Sequence, residues 1–316
     1  MKTILLRTSF VSLTSLLWAV TAAQGSLYLS SAQLNNVEKF SQTGTDQGSF
    51  ASTGMSGPNG LAFDSSGNLW VANGNGGVLK YSSSGTYLGI LTTLHAGGGW
   101  QGIAFDAAGD LYAANSINSK IYKLSPSQLT LGAAVGTETA GTVFATSGLA
   151  GPAGLAIDSL GNVFAANQST ETIAKFSSAG TSLGAYTSAN FSGVFGLAFD
   201  ASGRLYATNT GNNKIERFST TGTDLGVFAT TPNVGAFGIA FDGSGDLFAV
   251  ARFNATTYAQ EIDRFSSAGI LASVINTPGE FNTFITVQPI PEPAGLGLLI
   301  GLGLLGISTG RRARRG

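Results

Sequence analysis

Five aspartates recur along the chain, and carboxylates in such a column could hold a cation or act as general acids and bases. The first lies in "GLAFDSSGNLWVAN" at residues 60–73. Each begins the pattern Asp-x-x-Gly, which is typical of a type I turn in which aspartate accepts from backbone N–H groups and glycine tolerates a positive φ. We therefore predict structural turn caps rather than active carboxylates. The five are Asp64, Asp106, Asp158, Asp200 and Asp242.

The chain contains no cysteine and only one histidine, His95. Lack of cysteine excludes thiol catalysis, Fe–S ligation and cysteine-based zinc sites. A single histidine also excludes a histidine-pair metal site and a two-histidine acid/base mechanism. Serines lie in turn-like stretches such as "YSSSG", and no Gly-x-Ser-x-Gly elbow precedes a helix. We therefore expect no cofactor, no metal and no catalytic residue.

The composition favours a turn-rich β protein. Of 316 residues 45 are glycine, which favours tight turns over long helices, and only 10% are charged. The net charge of −1 conceals basic termini around a mildly acidic body. Nucleic-acid binders carry clustered lysine and arginine on the folded surface, so we expect no nucleic-acid partner.

The segments that must position these residues are internal repeats. The motif of residues 60–73 returns at 102–115, 154–167, 196–209 and 238–251, with intervals of 42, 52, 42 and 42 between the marker aspartates. A period near 42 with β-type composition predicts propeller blades of four short strands. The longer interval is explained by residues 125–148, a predicted excursion of an outer strand. The last unit carries its extra length at 251–261.

The two ends of the repeat region complete one further unit. Residues 27–41 match the second half of a unit, and residues 279–287 match the first strand, as in 235–243. The sequence therefore predicts an all-β, six-bladed propeller in which N- and C-terminal strands share one blade, with a hydrophobic helix at the C-terminus. Closing the ring in this way removes exposed sheet edges.

The unit resembles the NHL repeat family over roughly residues 27–287. The pattern Gly-(Leu/Ile)-Ala-(Phe/Ile)-Asp-x-x-Gly-x-(Leu/Val)-(aromatic)-x-Ala, followed later by strands such as Lys214–Ser219, carries the resemblance. One departure is asparagine after the second strand, where that family commonly has aspartate. These asparagines are Asn73, Asn115, Asn167 and Asn209.

Propellers place ligands at the mouth of the central channel, on the loops that lead into the innermost strands. Aromatic faces beside amides there would suit a sugar or another flat, weakly polar ligand. The alternative is that these aromatics fill the wedge between blades. The candidate ligand-binding residues are Asn59, Trp100, Gln101, Phe195, Phe237 and Phe281, with Glu280 and Asn282 nearby.

Some six-bladed relatives are enzymes, which supplies a second hypothesis. Gluconolactonase-like propellers hold a divalent metal with carboxylates and amides, but this mouth offers Glu280 as its only acid. Lyase-like propellers need a catalytic histidine, and His95 lies near the same mouth without a second histidine.

The two termini predict an exported protein. Residues 1–25 have a basic start, a short apolar run and small residues for cleavage, as in a secretory signal. Residues 294–309 are uncharged and, as a helix, would span roughly 24 Å, which is a marginal transmembrane length.

The C-terminus resembles a PEP-CTERM sorting signal, because Pro-Glu-Pro precedes an apolar stretch and a final arginine cluster. That family implies export from a Gram-negative cell, transient anchoring in the inner membrane through residues 294–309, and processing by an exosortase-type enzyme. It also implies delivery to the cell surface or an extracellular polysaccharide matrix, so polysaccharide or a surface protein are the expected partners. The signal residues are Pro291, Glu292, Pro293, Arg311, Arg312, Arg314 and Arg315.

We thus predict a signal peptide at 1–25, a propeller at 26–287, and a linker with a sorting and transmembrane tail at 288–316. The predicted function is non-catalytic binding or scaffolding at the surface or in the matrix, and the alternative is a lactonase-like or lyase-like enzyme.

Overall fold

The computed structural model describes residues 25–91, 98–132, 142–252, 260–277 and 282–288, and it forms six antiparallel sheets. Blade 1 contains β1 (Leu27–Ser31), β2 (Asn36–Phe40), β3 (Asp46–Ala51) and β25 (Asn282–Val287). Blade 2 contains β4 (Pro58–Phe63), β5 (Leu69–Asn73), β6 (Val78–Tyr81) and β7 (Tyr87–Leu91). Blade 3 contains β8 (Trp100–Phe105), β9 (Leu111–Asn115), β10 (Lys120–Leu124) and β12 (Thr142–Ala145).

The remaining three blades follow the same plan. Blade 4 contains β13 (Pro152–Ile157), β14 (Val163–Asn167), β15 (Thr172–Phe176) and β16 (Ser182–Tyr186). Blade 5 contains β17 (Val194–Phe199), β18 (Leu205–Asn209), β19 (Lys214–Phe218) and β20 (Asp224–Thr230). Blade 6 contains β21 (Ala236–Phe241), β22 (Leu247–Arg252), β23 (Gln260–Phe265) and β24 (Leu271–Thr277).

The six inner strands close a ring. Strand β4 contacts β8, β8 contacts β13, β13 contacts β17, β17 contacts β21, β21 contacts β25, and β25 contacts β4. Strand β25 pairs antiparallel with β1, so blade 1 takes its inner strand from the C-terminal side and its other three from the N-terminal side. The predicted six-bladed propeller with a shared blade is confirmed. The predicted C-terminal helix lies outside the described residues.

The hydrophobic core lies between neighbouring blades. Second strands such as β5 and β18 are buried along their whole length because both faces are covered. Between several blades, an aromatic side chain on the second strand packs edge to face against a phenylalanine on the first strand of the next blade. The ring centroids are 5.8 Å apart for Trp70 and Phe105, and 5.1 Å apart for Phe164 and Phe199. The sequence repeat thus places the same kind of aromatic contact between several pairs of neighbouring blades.

The excursion at 125–148 lies before the outermost strand of blade 3, as predicted, and it also makes a pairing with the preceding blade. After β10 the chain forms a 3₁₀ turn at Pro126–Gln128 and then β11 (Leu131–Gly132), which pairs with β7 of the preceding blade. Strand β12 then completes blade 3 by pairing with β10. The insertion therefore adds a fifth strand to the outer edge of blade 2. The extra segment of blade 6, at 253–259, lies outside the described residues.

The C-terminal inner strand differs from the prediction in register. Val287 opposes Leu27 as Phe241 opposes Leu247, so residues 282–287 correspond to 236–241. The sequence match to 235–243 was therefore wrong by two residues. As a result Phe284 occupies the position that glycine fills in the other inner strands.

Candidate functional site

A β-bulge near the start of every inner strand shapes one end of the channel, which we call the mouth face. In blade 2 Pro58 opposes Asn73 whereas Leu61 opposes Val71, so one extra residue is inserted. The same shift occurs in the other five blades. The bulges hold equivalent residues of successive blades at the mouth. In blades 2 to 6 these residues are Asn59, Gln101, Ala153, Phe195 and Phe237.

The inner strands then approach each other backbone to backbone at a column of glycines. A Cβ at Gly60 would overlap the carbonyl oxygen of Gln101, and one at Gly154 would overlap that of Phe195. Gly102 and Gly196 meet the next blade in the same way. Glycine is required here because a side chain on any of these inner strands would force two blades apart.

Phe284 breaks this column and fills the axis. Its ring lies 5.0 Å from that of Phe195, although blade 6 separates the two blades in the ring, so the side chain reaches across the channel. Phe237 packs on Phe195 at 5.2 Å, and Ala153 joins the cluster. Phe195 and Phe284 are only 5% and 8% exposed. These three phenylalanines close the channel just inside the mouth.

Beyond this plug a cavity of about 190 Å³ continues along the axis. All six blades line it, and its walls are almost entirely hydrocarbon and backbone. The lining includes Leu61, Ile103, Leu155, Leu197, Ile239 and Ile285.

The structure separates the predicted ligand-binding residues. Phe195 and Phe237 pack against each other, and Gln101 holds the equivalent position in blade 3. Asn59 donates from Nδ2 to the Trp100 carbonyl oxygen at 2.9 Å, bridging blades 2 and 3. Trp100 itself is 0% exposed and packs against Tyr122 at 5.4 Å. Its ring therefore fills the wedge between blades and does not reach the mouth.

Several other predicted positions cannot be placed. Phe281, Glu280 and His95 lie outside the described residues, as do the sorting-signal residues. Phe284 was not among the predicted site residues, and the pairing of β25 with β1 identifies it as an axial residue.

No inner strand contributes an ionisable side chain to the channel. The six described inner strands read PNGLAF, WQGIAF, PAGLAI, VFGLAF, AFGIAF and NTFITV. Among the described residues, no group of three or more His, Cys, Asp or Glu could hold a metal ion. Described helices also include none of the length and hydropathy needed to cross a membrane.

The five repeated aspartates lie on the opposite face, which we call the turn face. Asp64 Oδ1 accepts from the backbone N–H groups of Ser66 and Asn68 at 3.0 and 2.9 Å, and the other four make the same pair of bonds. Asp64 Oδ2 accepts from Trp70 Nε1 at 3.0 Å and pairs with Lys80 Nζ at 3.2 Å. Burial alone would raise the pKa of Asp64, but these hydrogen bonds and the ammonium outweigh burial and hold the pKa below its ordinary value. The five carboxylates thus act as turn caps, because each accepts two backbone hydrogen bonds within its own turn.

Asparagines after the second strands tie the loops of the mouth face together. Asn167 accepts from the Ala150 backbone N–H at 3.0 Å and donates to the Gly148 carbonyl oxygen at 2.8 Å. Asn73, Asn115 and Asn209 make corresponding contacts to the loops that precede their own inner strands. An uncharged amide can both accept and donate here, which a carboxylate cannot.

Three acids are buried in third strands, far from both faces. Glu38, Glu216 and Asp263 occupy one repeat position in blades 1, 5 and 6, where Leu79, Tyr122 and Ala174 fill the other three. Burial, with the neighbouring Glu261 carboxyl, raises the pKa of Asp263 to about 8. Burial and the neighbouring carboxyl therefore favour the protonated form of Asp263 in the folded protein.

Asp263→Asn should make the stability of the protein less sensitive to a rise in pH between about 4 and 8. Because the folded-state pKa of Asp263 is raised to about 8, the folded protein holds a proton that the unfolded chain releases between its ordinary pKa and pH 8. The free energy of unfolding thus falls through that window by at most about 1.4 kcal/mol per pH unit. Urea unfolding at pH 5, 7 and 8.5 measures the slope. We expect a shallower slope in the variant, with Glu171→Gln, which removes an exposed carboxylate, as control. Parallel slopes for wild type and Asp263→Asn would contradict the assignment.

No protein-family model matches the chain, and no curated protein matches it. Among solved structures, a chain from a nidogen–laminin complex has a TM-score of 0.67 at 18% identity and covers 84% of this chain and 98% of its own. A streptogramin B lyase has a TM-score of 0.57 at 18% identity, covering 83% of each chain. A gluconolactonase-family structure has a TM-score of 0.56 at 15% identity, covering 72% and 80%.

These similarities show the fold. It is an NHL-like six-bladed β-propeller. The identities are low, and the similar structures come from a protein complex, a lyase and a gluconolactonase type. The fold is therefore compatible with either binding or catalysis. That choice depends on the residues of the channel.

Proposed function

We propose that this chain is an exported, non-catalytic binding module that presents the mouth of its propeller to a glycan or another flat, weakly polar ligand. Its PEP-CTERM-type tail would be recognised and processed by an exosortase-type enzyme, after transient anchoring in the inner membrane through residues 294–309. Its working location would be the surface or the extracellular matrix of a Gram-negative bacterium.

The absence of ionisable side chains from the six described inner strands supports this proposal most strongly. A hydrolase or lyase site needs a general acid or base, or a cation held by several oxygen ligands. Phe195 and Phe284 also close the axis, so a ligand at the mouth meets a shallow apolar floor instead of a deep channel.

The described mouth has two unlike halves. Blades 2 and 3 contribute the amides Asn59 and Gln101, whereas blades 5 and 6 contribute Phe195 and Phe237. A sugar ring carries hydroxyls at its edge and C–H groups on its face, so it matches an amide edge beside an aromatic floor. This arrangement favours a carbohydrate over an ionic ligand.

A lyase-like or lactonase-like enzyme is the second candidate, because structures of both kinds share the fold. His95 and Glu280 are the residues that such an activity would need near the mouth. Lactone hydrolysis with bound calcium would favour the enzyme, and polysaccharide affinity without turnover would favour binding.

One experiment tests both export and binding. The full chain is expressed in a Gram-negative host with an exosortase-type enzyme, fractionated, and the recovered protein is applied to a glycan array. We expect recovery from the surface or medium and retention of a carbohydrate. Gln101→Ala should weaken that binding about tenfold, since it removes hydrogen bonds worth roughly 1 kcal/mol or more.

Gln47→Ala, an exposed position on the outer strand β3, is the matched control and should bind as wild type. Recovery from the cytosol would contradict export. Failure to bind any glycan, or equal binding by the Gln101→Ala protein, would contradict the site.

A further inference from the structure

The outer edge of blade 6 differs from the outer edges of the other blades. Outermost strands present unpaired backbone groups that can pair with another chain, and proteins usually disrupt such edges. Here the usual device is a glycine with positive φ that bulges the strand. It occurs at Gly48 of β3 (+82°), Gly89 of β7 (+141°), Gly184 of β16 (+97°) and Gly226 of β20 (+80°).

The outer edges of blades 2 and 3 carry further limits. Strand β7 is covered by β11 from the same chain, which also demonstrates that an outer edge of this propeller accepts a further strand. Strand β12 has only four residues and shifts register against β10. Neither offers a long free edge.

Within the described residues, strand β24 lacks the bulging glycine, the covering strand and the short length that limit the other outer edges. Its seven residues, LASVINT, contain no glycine and no charge. Its pairing with β23 is continuous from Gln260↔Thr277 to Arg264↔Ser273, with one shift only at the Leu271 end. Apolar side chains on it are exposed, including Leu271 and Val274 at 40% and 41%, and the adjoining Ile270 at 68%. It is a long, regular, apolar edge.

We propose that β24 is a self-association edge, at which a second copy of this chain pairs its own β24 antiparallel across a two-fold axis. The two copies of blade 6 would form one continuous eight-stranded sheet. A second copy is the favoured occupant because an uncharged strand meets no like-charge repulsion when it opposes itself, and a two-fold interface requires such self-complementarity. The exposed Val274 and Leu271 would be covered in the pair.

Strand β20 is the outer strand most similar to β24 in length and exposed apolar side chains. It has the same length and carries Leu225 and Val227 at 45% and 42% exposure, so exposed apolar area alone does not distinguish the two strands. Strand β20 differs in carrying Asp224 and the bulge at Gly226. Antiparallel pairing with its own copy would be interrupted by the bulge and would add like charges.

Sedimentation velocity on the purified full chain over a range of concentrations tests the proposal. We expect a reversible dimer. Val274→Lys should raise its dissociation constant about tenfold or more, because it places like charges close together across the two-fold axis. Val227→Lys, equally exposed on β20, is the matched control and should dimerise as wild type. Thermal melts establish that each variant is folded, and Ala272→Lys on the same edge replaces Val274→Lys if that variant is not.

A chain that stays monomeric at all concentrations overturns the proposal. So does a dimer that Val274→Lys and Ala272→Lys leave intact, or that Val227→Lys weakens equally. These outcomes are independent of glycan binding, which concerns the mouth face.

Discussion

Deletion of β25 (Asn282–Val287) is expected to abolish the cooperative unfolding transition of the protein. These six residues supply the inner strand of blade 1 and contact β21 and β4, so their loss opens the ring between blades 6 and 2. The deletion uncovers β1, whose residues Leu27, Tyr28 and Leu29 are completely buried. It also removes Phe284 from the axis. Because each blade is stabilised by its two neighbours, an open ring leaves two unpaired faces rather than one local defect.

Differential scanning calorimetry measures this effect. We expect one sharp transition for the wild type and a broad or absent transition for the deletion variant. A chain that ends at Gln288 keeps every described residue and serves as the control, with an unchanged melt expected. Equal melts for the deletion variant and the wild type would show that β25 does not close the ring.

We expect Gly154→Ala to lower the free energy of unfolding by about 3 kcal/mol, at the upper end of overpacking effects. The added Cβ would overlap the carbonyl oxygen of Phe195 and crowd Gly196 Cα at 3.2 Å. Both belong to the backbone of the neighbouring inner strand, so no side chain can rotate away. The only relief is to separate blades 4 and 5 at the narrowest part of the ring.

Thermal unfolding followed by circular dichroism checks this value. We expect a midpoint lower by roughly 6–12 °C, given 2–4 °C per kcal/mol for a domain of this size. Gly243→Ala is the matched control, because its Cβ would meet no atom within 4 Å and its φ is not positive. If both variants melt alike, the close approach of the inner strands does not limit stability.

At the mouth, aromatic residues from corresponding stretches of the repeat face different surroundings. Trp100 and Phe237 stand in corresponding stretches of the sequence, "GWQG" and "GAFG", yet they are one position apart in the repeat. The bulge sends one position to the wedge between blades and the next to the mouth, so Trp100 is buried and Gln101 takes the place equivalent to Phe237. A one-residue offset therefore decides which side chain a ligand can meet.

The sequence by itself determined the blade count, the shared blade and the aspartate turns. These features are local or periodic: the Asp-x-x-Gly turn depends on four residues, and the repeat spacing states how many wedges the chain makes. The fragments 27–41 and 279–287 were recognisable as parts of one unit for the same reason.

Only the tertiary structure decided the register of β25, the burial of Trp100, the partner of β11 and the placement of Asp263 in the interior. Each depends on pairing between segments distant in sequence, where a shift of one or two residues leaves the local pattern intact but turns side chains to another surface. Phe284 is the clearest case. Nothing in "NTFITV" marks it as an axial residue, and it becomes one because Val287 pairs with Leu27 when the ring closes.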